Sequence, residues 1–161
     1  MHTPTPRSPQ CSVTRMTEIA LPQHANNLGS VFGGQMMARI DVCAAISAHR
    51  YCGRVAVTAA VDSLVFLRPV KLGDIVLLGA RVNAAFNSSI EVETVVHVEH
   101  PDTQTEELCV RAFLTFVCLD DQGKPLRVPP LLLEDDVSRR RSADATRRRE
   151  LRLAHRTDGD S

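Results

Sequence analysis

The sequence lacks the segments expected of a membrane-inserted or secreted chain. No apolar run reaches the roughly 18 residues of a membrane-spanning helix. The first twelve residues, MHTPTPRSPQCS, have no apolar core of the kind found in a signal peptide. We therefore expect a cytoplasmic protein without a membrane partner. At 161 residues it is expected to form one domain, large enough to bury a core without a metal or a disulfide.

Cysteine usage and histidine spacing predict neither disulfides nor a metal site. The five cysteines are odd in number and form no CxxC pair, so reduced thiols are expected. Cys43, Cys109 and Cys118 lie in apolar contexts typical of small core residues. His97 and His100 lie at a strand end and in a loop with no third ligand in view, so we predict no bound metal and no cofactor.

Several common catalytic motifs are also missing. The chain has no GxSxG, no HExxH and no GxxxxGK[ST], which removes the usual signatures of serine hydrolases, zinc peptidases and P-loop nucleotidases. Lysine is scarce as well, with only Lys71 and Lys124. Most of the positive charge is therefore carried by arginine. Residues 138–156 contain eight arginines and two acidic residues, Asp144 and Glu150, which gives this segment a net charge of +6.

This arginine-rich tail has three possible interpretations. It could bind the phosphates of a nucleotide, it could bind nucleic acid non-specifically through its charge, or it could be a solvated or disordered end. No aromatic residues interleave the arginines, which argues against base stacking. Nucleic acid is therefore not the expected partner.

Hydrophobic periodicity predicts one buried helix and five strands. A strand is expected over 13–21, a nearly all-round apolar helix over Gly34–His49, and four β-rich runs follow. These runs are Arg54–Leu67, Ile75–Ala85, Ser88–Glu99 and Glu107–Leu119. Short connections indicate antiparallel pairing. We predict an α+β fold in which a curled antiparallel sheet wraps the helix.

Three regions are expected along the chain. Residues 1–12 are rich in Pro, Ser and Thr and are predicted to form a disordered tail. Residues 13–131 form the folded domain. Residues 132–161 form a charged C-terminal extension, predicted to be a helix from about Glu134 to His155 that is mostly exposed or frayed.

Asp41 is the strongest candidate for a catalytic residue. It is the only acidic group between Val31 and Ala48. Its neighbours at helical spacing are apolar or lack a side chain, and burying a carboxylate there is costly unless it is used or paired. Asp41 is therefore either a general base or nucleophile, or a structural carboxylate paired with Arg39, Arg50 or a partner chain.

A loop containing Asn26 precedes the helix and ends in Gly33 and Gly34. Backbone amides at such a glycine-fronted helix start are suited to hold a carbonyl oxygen. Asn26 would then orient the water or the substrate carbonyl. A polar loop residue, a helix start with free amides and a carboxylate two turns later are parts of a hydrolytic site.

The segment PQHANNLGSVFGGQMMARID, residues 22–41, resembles the signature of hotdog-fold acyl-CoA thioesterases of the bacterial short-chain and mammalian brain cytosolic type. The similarity continues through RVAVTAAVDSLVFLRPVKLGDIV, NSSIEVETVV and LTFVCLDDQGKPLRVPPL, and covers about residues 14–131. The matching signature positions are Asn26, Gly29, Phe32, Gly33, Gly34 and Asp41. His24 departs from the small polar residue common in that family, which bears on substrate preference.

The resemblance implies an acyl-CoA thioester hydrolase with an Asn–Asp catalytic pair, here Asn26 and Asp41, in a site between two protomers. It implies a homodimer at minimum and a trimer of dimers, with acyl-CoA as the substrate and a place in fatty acid metabolism. It also implies that the Asn87–Ser88–Ser89 turn lies near the pantetheine and phosphate arm of CoA. The other substrate-binding candidates are Phe32, Phe66, Arg68 and Lys71, of which Phe66 suits the core as well as an acyl tunnel.

Three other functions are compatible with the sequence. A non-catalytic acyl-CoA-binding protein on the same fold is one, although the presence of both Asn26 and Asp41 argues against it. A hotdog dehydratase is another, but no histidine lies on the Asp41 stripe of the helix. Nucleic-acid association through the arginine-rich tail is the third.

Overall fold

A five-stranded antiparallel sheet packs against one long helix. This computed structural model describes residues 4–159. The strands are β1 (Thr14–Ile19), β2 (Ala56–Phe66), β3 (Ile75–Ala85), β4 (Ser89–His100) and β5 (Thr105–Cys118). The helices are α1 (Gly33–Cys52) and α2 (Asp136–Gly159), and short 3₁₀ turns occupy Pro9–Ser12 and Pro22–His24. The predicted α+β architecture is confirmed, with element ends shifted by at most a few residues.

The strand order differs from a simple hairpin succession. It is β1-β3-β4-β5-β2, so β3, β4 and β5 are joined by hairpins while β2 pairs only with β5. The connection from Phe66 to Ile75 carries the chain from one edge of the sheet towards the other. Thus β1 and β2 lie at opposite edges of the sheet, although in the chain only α1 and a loop separate them.

Helix α1 buries one face on the sheet and leaves another apolar face exposed. Met36, Ile40, Cys43, Ala44, Ala48 and Tyr51 pack with Ile90, Val92 and Val96 of β4 in the core. Gly53 ends the helix with a φ of 66°, a left-handed conformation that glycine adopts without strain. The helix was predicted to be buried on most sides, but in a single chain the sheet covers only one of them. Met37, Val42 and Ile46 remain 44%, 49% and 37% exposed.

The N-terminal segment is ordered from residue 4, in contrast to the predicted disordered tail. Arg7 N–H donates to the Pro130 carbonyl, and the Ser12 hydroxyl accepts from Val82 N–H at 2.9 Å. Ser12 is fully buried. These contacts stabilise a segment whose composition alone predicts disorder. Residues 1–3 of the expected tail lie outside the described residues.

Helix α2 packs on the sheet face opposite α1 and is neither frayed nor simply solvated. Side chains alternate along a strand, so Glu91 faces away from the core side chains of Ile90 and Val92. Arg148 of α2 makes two hydrogen bonds to Glu91, at 2.8 and 2.9 Å, and Ala145 is fully buried. Most described α2 residues are exposed, as predicted, but the contacts that fix the helix to the sheet are made by arginines, which apolar periodicity does not indicate.

Two simpler expectations also bear on the fold. Cys43, Cys109 and Cys118 are buried free thiols, as predicted. None of the helices between residues 4 and 159 is long and apolar enough to cross a membrane.

Candidate active site

The loop around Asn26 is held by its own side chain. Asn26 Oδ1 accepts hydrogen bonds from Leu28 N–H at 2.8 Å and Ser30 N–H at 3.1 Å. The Asn26 backbone N–H donates to the Ser30 carbonyl at 2.7 Å. Both lone-pair directions of Oδ1 are therefore occupied, and within the described chain Nδ2 has no partner. Asn26 can act on a ligand only as a donor through this amide group.

Helix α1 begins with backbone N–H groups that have no hydrogen-bond acceptor within the described residues, at the two glycines of the segment 22–41. Phe32 is the N-cap and supplies no side-chain hydrogen bond, while Gln35 N–H and Met36 N–H both donate to its carbonyl. Gly33 N–H and Gly34 N–H donate to no residue in the described range. Two unpaired donors at the positive end of a 20-residue helix form a site for a partly negative oxygen.

The Phe32 ring accounts for glycine at position 34. A Cβ at Gly34 would lie 2.8 Å from Phe32 Cε1, closer than real Cβ contacts, while a Cβ at Gly33 would meet Phe66 Cζ at an ordinary 3.6 Å. Phe32 and Phe66 are both about half exposed. The two rings therefore flank the helix start at the surface, and the interpretation of Phe66 as a core residue is wrong.

One cleft of about 350 Å³ brings together several predicted residues. Asn26, Gly33, Phe66 and Arg68 line it, with Met36 and Val70 at its base. The lining is mostly apolar with a few polar groups, as is usual for small-molecule sites. Its size and composition suit the apolar part of a small molecule whose polar end would meet the Gly33 amide and the Asn26 side-chain amide.

Asp41 lies outside this cleft and has a different partner. Thr58 of β2 donates from Oγ1 to Asp41 Oδ1 at 2.6 Å. Asp41 is half-buried and borders the exposed apolar face of α1, so its predicted burial among apolar neighbours is wrong in the single chain. Within the described residues Oδ2 accepts no hydrogen bond. The carboxylate thus keeps one oxygen free towards solvent.

The cationic residues proposed as structural partners of Asp41 bind elsewhere. Arg39 donates to Glu18 Oε2 at 2.6 Å and to His24 Nε2 at 3.2 Å. Because a guanidinium only donates, His24 accepts through Nε2. Arg50 donates to the Val13 carbonyl at 2.8 Å. The intrachain ion-pair explanation for Asp41 is therefore not supported, and Thr58 is the residue that orients it.

The predicted CoA-binding residues fall into two separate groups. Arg68 lines the cleft and forms a 2.6 Å ion pair with Glu107, and Lys71 is exposed and bridges by its backbone to Ser30 of the Asn26 loop. The Asn87–Ser88–Ser89 turn lies at the other end of the sheet, where Phe86 N–H donates to the Ser89 carbonyl. Arg149 of α2 stacks on the Phe86 ring, 4.8 Å from its centroid.

Two of the tail arginines are less available than the sequence suggested. Arg148 binds Glu91 and lies over the Phe113 ring at 3.8 Å, and Arg152 is hydrogen-bonded to Asp62 and Thr115. Their carboxylate partners are nearly fully buried. Burial opposes and the Glu91 hydrogen bond favours the charge of Arg148, with the net result that its pKa is raised. Arg148 and Arg152 are therefore structural.

Thr58 was missed by sequence reasoning. Threonine is an ordinary strand former, and nothing in VAVTAAVD distinguishes Thr58 before α1 and β2 are folded together.

The described residues also contain no group of three or more His, Cys, Asp and Glu placed to hold a metal ion. The local chemistry is thus a carboxylate with a hydroxyl donor in one place, and amide donors in another.

Known proteins are similar to this chain over most of its length. The model of the Thioesterase superfamily matches residues 28–105. The uncharacterized acyl-CoA thioester hydrolase YkhA of Bacillus subtilis is 42% identical over 136 residues, covering 84% of this chain and 79% of that protein. Among solved structures, the acyl-CoA hydrolase of Staphylococcus aureus in complex with butyryl-CoA, CoA and CoA disulfide superposes with a TM-score of 0.90 and 38% identity, covering 96% of this chain and 94% of that one.

Two further observations concern these solved structures. The Staphylococcus aureus hydrolase has also been solved as three alanine variants, at an aspartate, an asparagine and a threonine. An apo-hexameric acyl-CoA thioesterase superposes with a TM-score of 0.89 and 32% identity, covering 94% of this chain and 97% of that one. The chain therefore belongs to the acyl-CoA thioester hydrolases of the hotdog thioesterase superfamily.

Proposed function

We propose that this acyl-CoA thioester hydrolase assembles each active site from two copies, with Asn26 and the Gly33–Gly34 amides from one and Asp41 with Thr58 from the other. The observation that carries this proposal is the separation of the two halves in a single chain. Asn26 and Gly33 line the cleft, whereas Asp41 borders an uncovered apolar face of α1. A second copy that covers this face would bring an Asp41 to the mouth of its neighbour's cleft.

The edge strand β2 supports a twofold contact. Within the described part of the chain it has no strand partner on its outer side, and it exposes Val57, Val61 and Val65 by 42%, 47% and 48%. An exposed apolar edge strand is a liability unless another chain covers it. Thr58 lies on this same strand. Pairing of β2 with its copy would place the Asp41–Thr58 pair at the interface.

The proposed reaction is addition of water to the thioester carbonyl. The Gly33 and Gly34 amides hold the carbonyl oxygen as it gains negative charge, and the free Nδ2 group of Asn26 donates to the same region. Asp41 takes a proton from water through its free oxygen while Thr58 holds the other. The carbon–sulfur bond then breaks, and the departing CoA thiolate recovers the proton from Asp41. No step requires a cofactor.

The residue spacing in the Staphylococcus aureus hydrolase supports these roles. Its substituted asparagine and aspartate are 15 residues apart, and its aspartate and threonine are 17 apart. Asn26, Asp41 and Thr58 have the same two separations in this chain. The three polar residues assigned here to two half-sites are thus spaced like the three chosen for substitution there.

The CoA moiety is proposed to run from the cleft across a subunit boundary. The acyl group occupies the cleft beside Phe66, while Phe32, Arg68 and Lys71 lie at its rim. The Asn87–Ser88–Ser89 turn with the adjacent Arg149 then receives the phosphates of a substrate held mainly by a neighbouring copy. A trimer of dimers is proposed on the basis of the hexameric relative. A cytoplasmic location and a role in fatty acid metabolism remain predictions.

Subunit complementation tests the shared site. Asn26→Ala and Asp41→Asn should each be nearly inactive in thiol release from acyl-CoAs. Random exchange of the two makes half of the dimers mixed, and each mixed dimer holds one intact and one doubly substituted site. The mixture should therefore recover about a quarter of the parent activity. No recovery after mass spectrometry has verified exchange would place both residues in one chain's site.

A chain-length series tests the substrate. Thiol release should be measured from acetyl- to palmitoyl-CoA with the parent and with Asp41→Asn. The parent should hydrolyse at least one length with a rate that the variant loses. If the parent binds acyl-CoA but releases no thiol from any of them, the chain is a binding protein on a hydrolase fold.

A further inference from the structure

A second cavity lies on the sheet face opposite α1, beside helix α2. It has a volume of about 450 Å³, within the range of small-molecule sites. Gly79 and Val95 line it on adjacent strands, and they are direct partners in the β3–β4 register. Gly79 has no side chain, which leaves a depression in the sheet surface between β1 and β4. Any larger residue at this position would fill the depression with its side chain. None of the groups assigned to hydrolysis lines this cavity.

Four arginines surround this cavity with one carboxylate among them. Arg15, Arg81, Arg111 and Arg141 line it together with Glu93. The ion pairs to Glu93 are long, at 3.7 Å from Arg111 Nε and 4.0 Å from Arg141 Nε. Elsewhere on the same face, Arg148 reaches Glu91 at 2.8 Å. The cavity therefore carries excess positive charge that its own carboxylate does not neutralise.

Two of these guanidinium groups have buried donors without partners. Arg81 Nε and Arg141 Nη1 are shielded from solvent and donate to no residue in the described chain. An unsatisfied buried donor is destabilising, more so on a charged group. Burial, reinforced by repulsion from Arg141, lowers the pKa of Arg81 despite the attraction of Glu93. The cluster is thus unfavourable by itself and would be stabilised by an anion.

We propose that Arg15, Arg81, Arg111 and Arg141 form a binding site for a phosphate-bearing anion, separate from the hydrolytic site. Guanidinium groups bind phosphate through paired, charge-assisted hydrogen bonds, and several can share one phosphate. The described lining contains no Phe, Tyr or Trp, and its one ring is the small imidazole of His97. Recognition would therefore be directed at the phosphate groups, whether they occur as free pyrophosphate or on a nucleotide. A bound anion would link β1, β5 and α2 through these arginines.

Calorimetric titration of the intact protein with inorganic pyrophosphate tests this site. Arg111→Gln and Arg141→Gln should each weaken binding by about tenfold or more, since each removes a charge-assisted contact. Arg111 is exposed, so its replacement leaves the fold intact. Arg140→Gln is the matched control because it removes the same charge from an exposed neighbour on α2. Pyrophosphate should also raise the melting temperature of the parent and of Arg140→Gln.

The substrate site needs its own control, because CoA also carries phosphates. Arg149→Gln changes the arginine beside the turn proposed to receive the CoA phosphates, and it should leave pyrophosphate affinity unchanged. Competition by ADP but not by adenosine would show that a nucleotide can supply the phosphates, and competition by neither would restrict the site to compact anions. Both results support the site. The proposal is overturned by absence of saturable binding, by equal weakening in Arg140→Gln, or by loss of binding in Arg149→Gln.

Discussion

The hydrogen bond from Thr58 to Asp41 leads to a sharp kinetic prediction. Thr58→Val keeps the shape and the strand preference of the side chain but removes the hydroxyl that donates to Asp41 Oδ1 at 2.6 Å. Without this donor the carboxylate is free to rotate about its side-chain torsions. Turnover should fall because the proton acceptor is no longer oriented towards water. Thr58 is in this view a positioning residue.

The size of the effect follows from the kind of bond. Hydrogen bonds to charged groups contribute roughly 1.5–3 kcal/mol. Since about 1.4 kcal/mol changes a rate tenfold, kcat should fall by about 10- to 150-fold. The larger value applies if a second copy covers the pair and excludes water. The KM should change little, because Thr58 does not line the cleft in which Asn26 and Gly33 lie.

The assay is thiol release at saturating acyl-CoA, followed by a full substrate titration. Thr58→Ser restores the hydroxyl and should recover most of the lost kcat. Thr17→Val is the matched control, since Thr17 is an exposed threonine on the other edge strand. Thermal melting of all three variants checks that the fold is intact. A Thr58→Val enzyme within about threefold of the parent kcat, or a Thr58→Ser enzyme as impaired as Thr58→Val, would refute the positioning role.

Three other substitutions are expected to act at separate places. Asp41→Asn should lower kcat by roughly 10²–10⁴-fold, as removal of a general base does, with an unchanged melting temperature; unfolding of this variant would instead make Asp41 structural. Glu91→Ala leaves Arg148 unpaired and should destabilise the fold by roughly 2–4 kcal/mol, a value reduced because Arg148 is 23% exposed. The melting temperature should fall by roughly 5–12 °C, while Glu106→Ala at an exposed position should shift it little, and equal shifts would contradict the buried pair. Arg149→Gln should raise the KM for acyl-CoA but not for acyl-pantetheine, which lacks the nucleotide; equal KM changes for both substrates would argue against a phosphate contact.

The packed α2 helix changes how truncation experiments on the tail are interpreted. Deletion of residues 134–161 would remove Arg148 and Arg152 and leave Glu91 and Asp62 as unpaired carboxylates on the sheet. Burying such charges without partners is costly. A higher KM after truncation would therefore combine lost phosphate contacts with a disturbed sheet. Single substitutions at exposed arginines separate these effects.

The local elements and half of the proposed site can be predicted from the amino-acid sequence. Alternation and turn residues specify strands such as Ile75–Ala85, because side-chain period and turn chemistry are local properties. The signature from Asn26 to Gly34 also acts locally, since a loop and a helix start separated by few residues must lie close together. The free amide donors at Gly33 and Gly34 follow from the helix beginning there.

Contacts between residues distant in sequence depend on how the strands and helices pack together. Thr58 meets Asp41 only because β2 leaves β3 and pairs with β5 beside α1. Arg148 meets Glu91 across 57 residues, and charge counting could not distinguish that arginine from its exposed neighbours. Ionic and hydrogen-bonded partners carry no periodic signal, because one correctly placed residue is enough. Hydrophobic burial repeats along an element and can be read from sequence, whereas the pairing of single polar groups depends on the assembled fold.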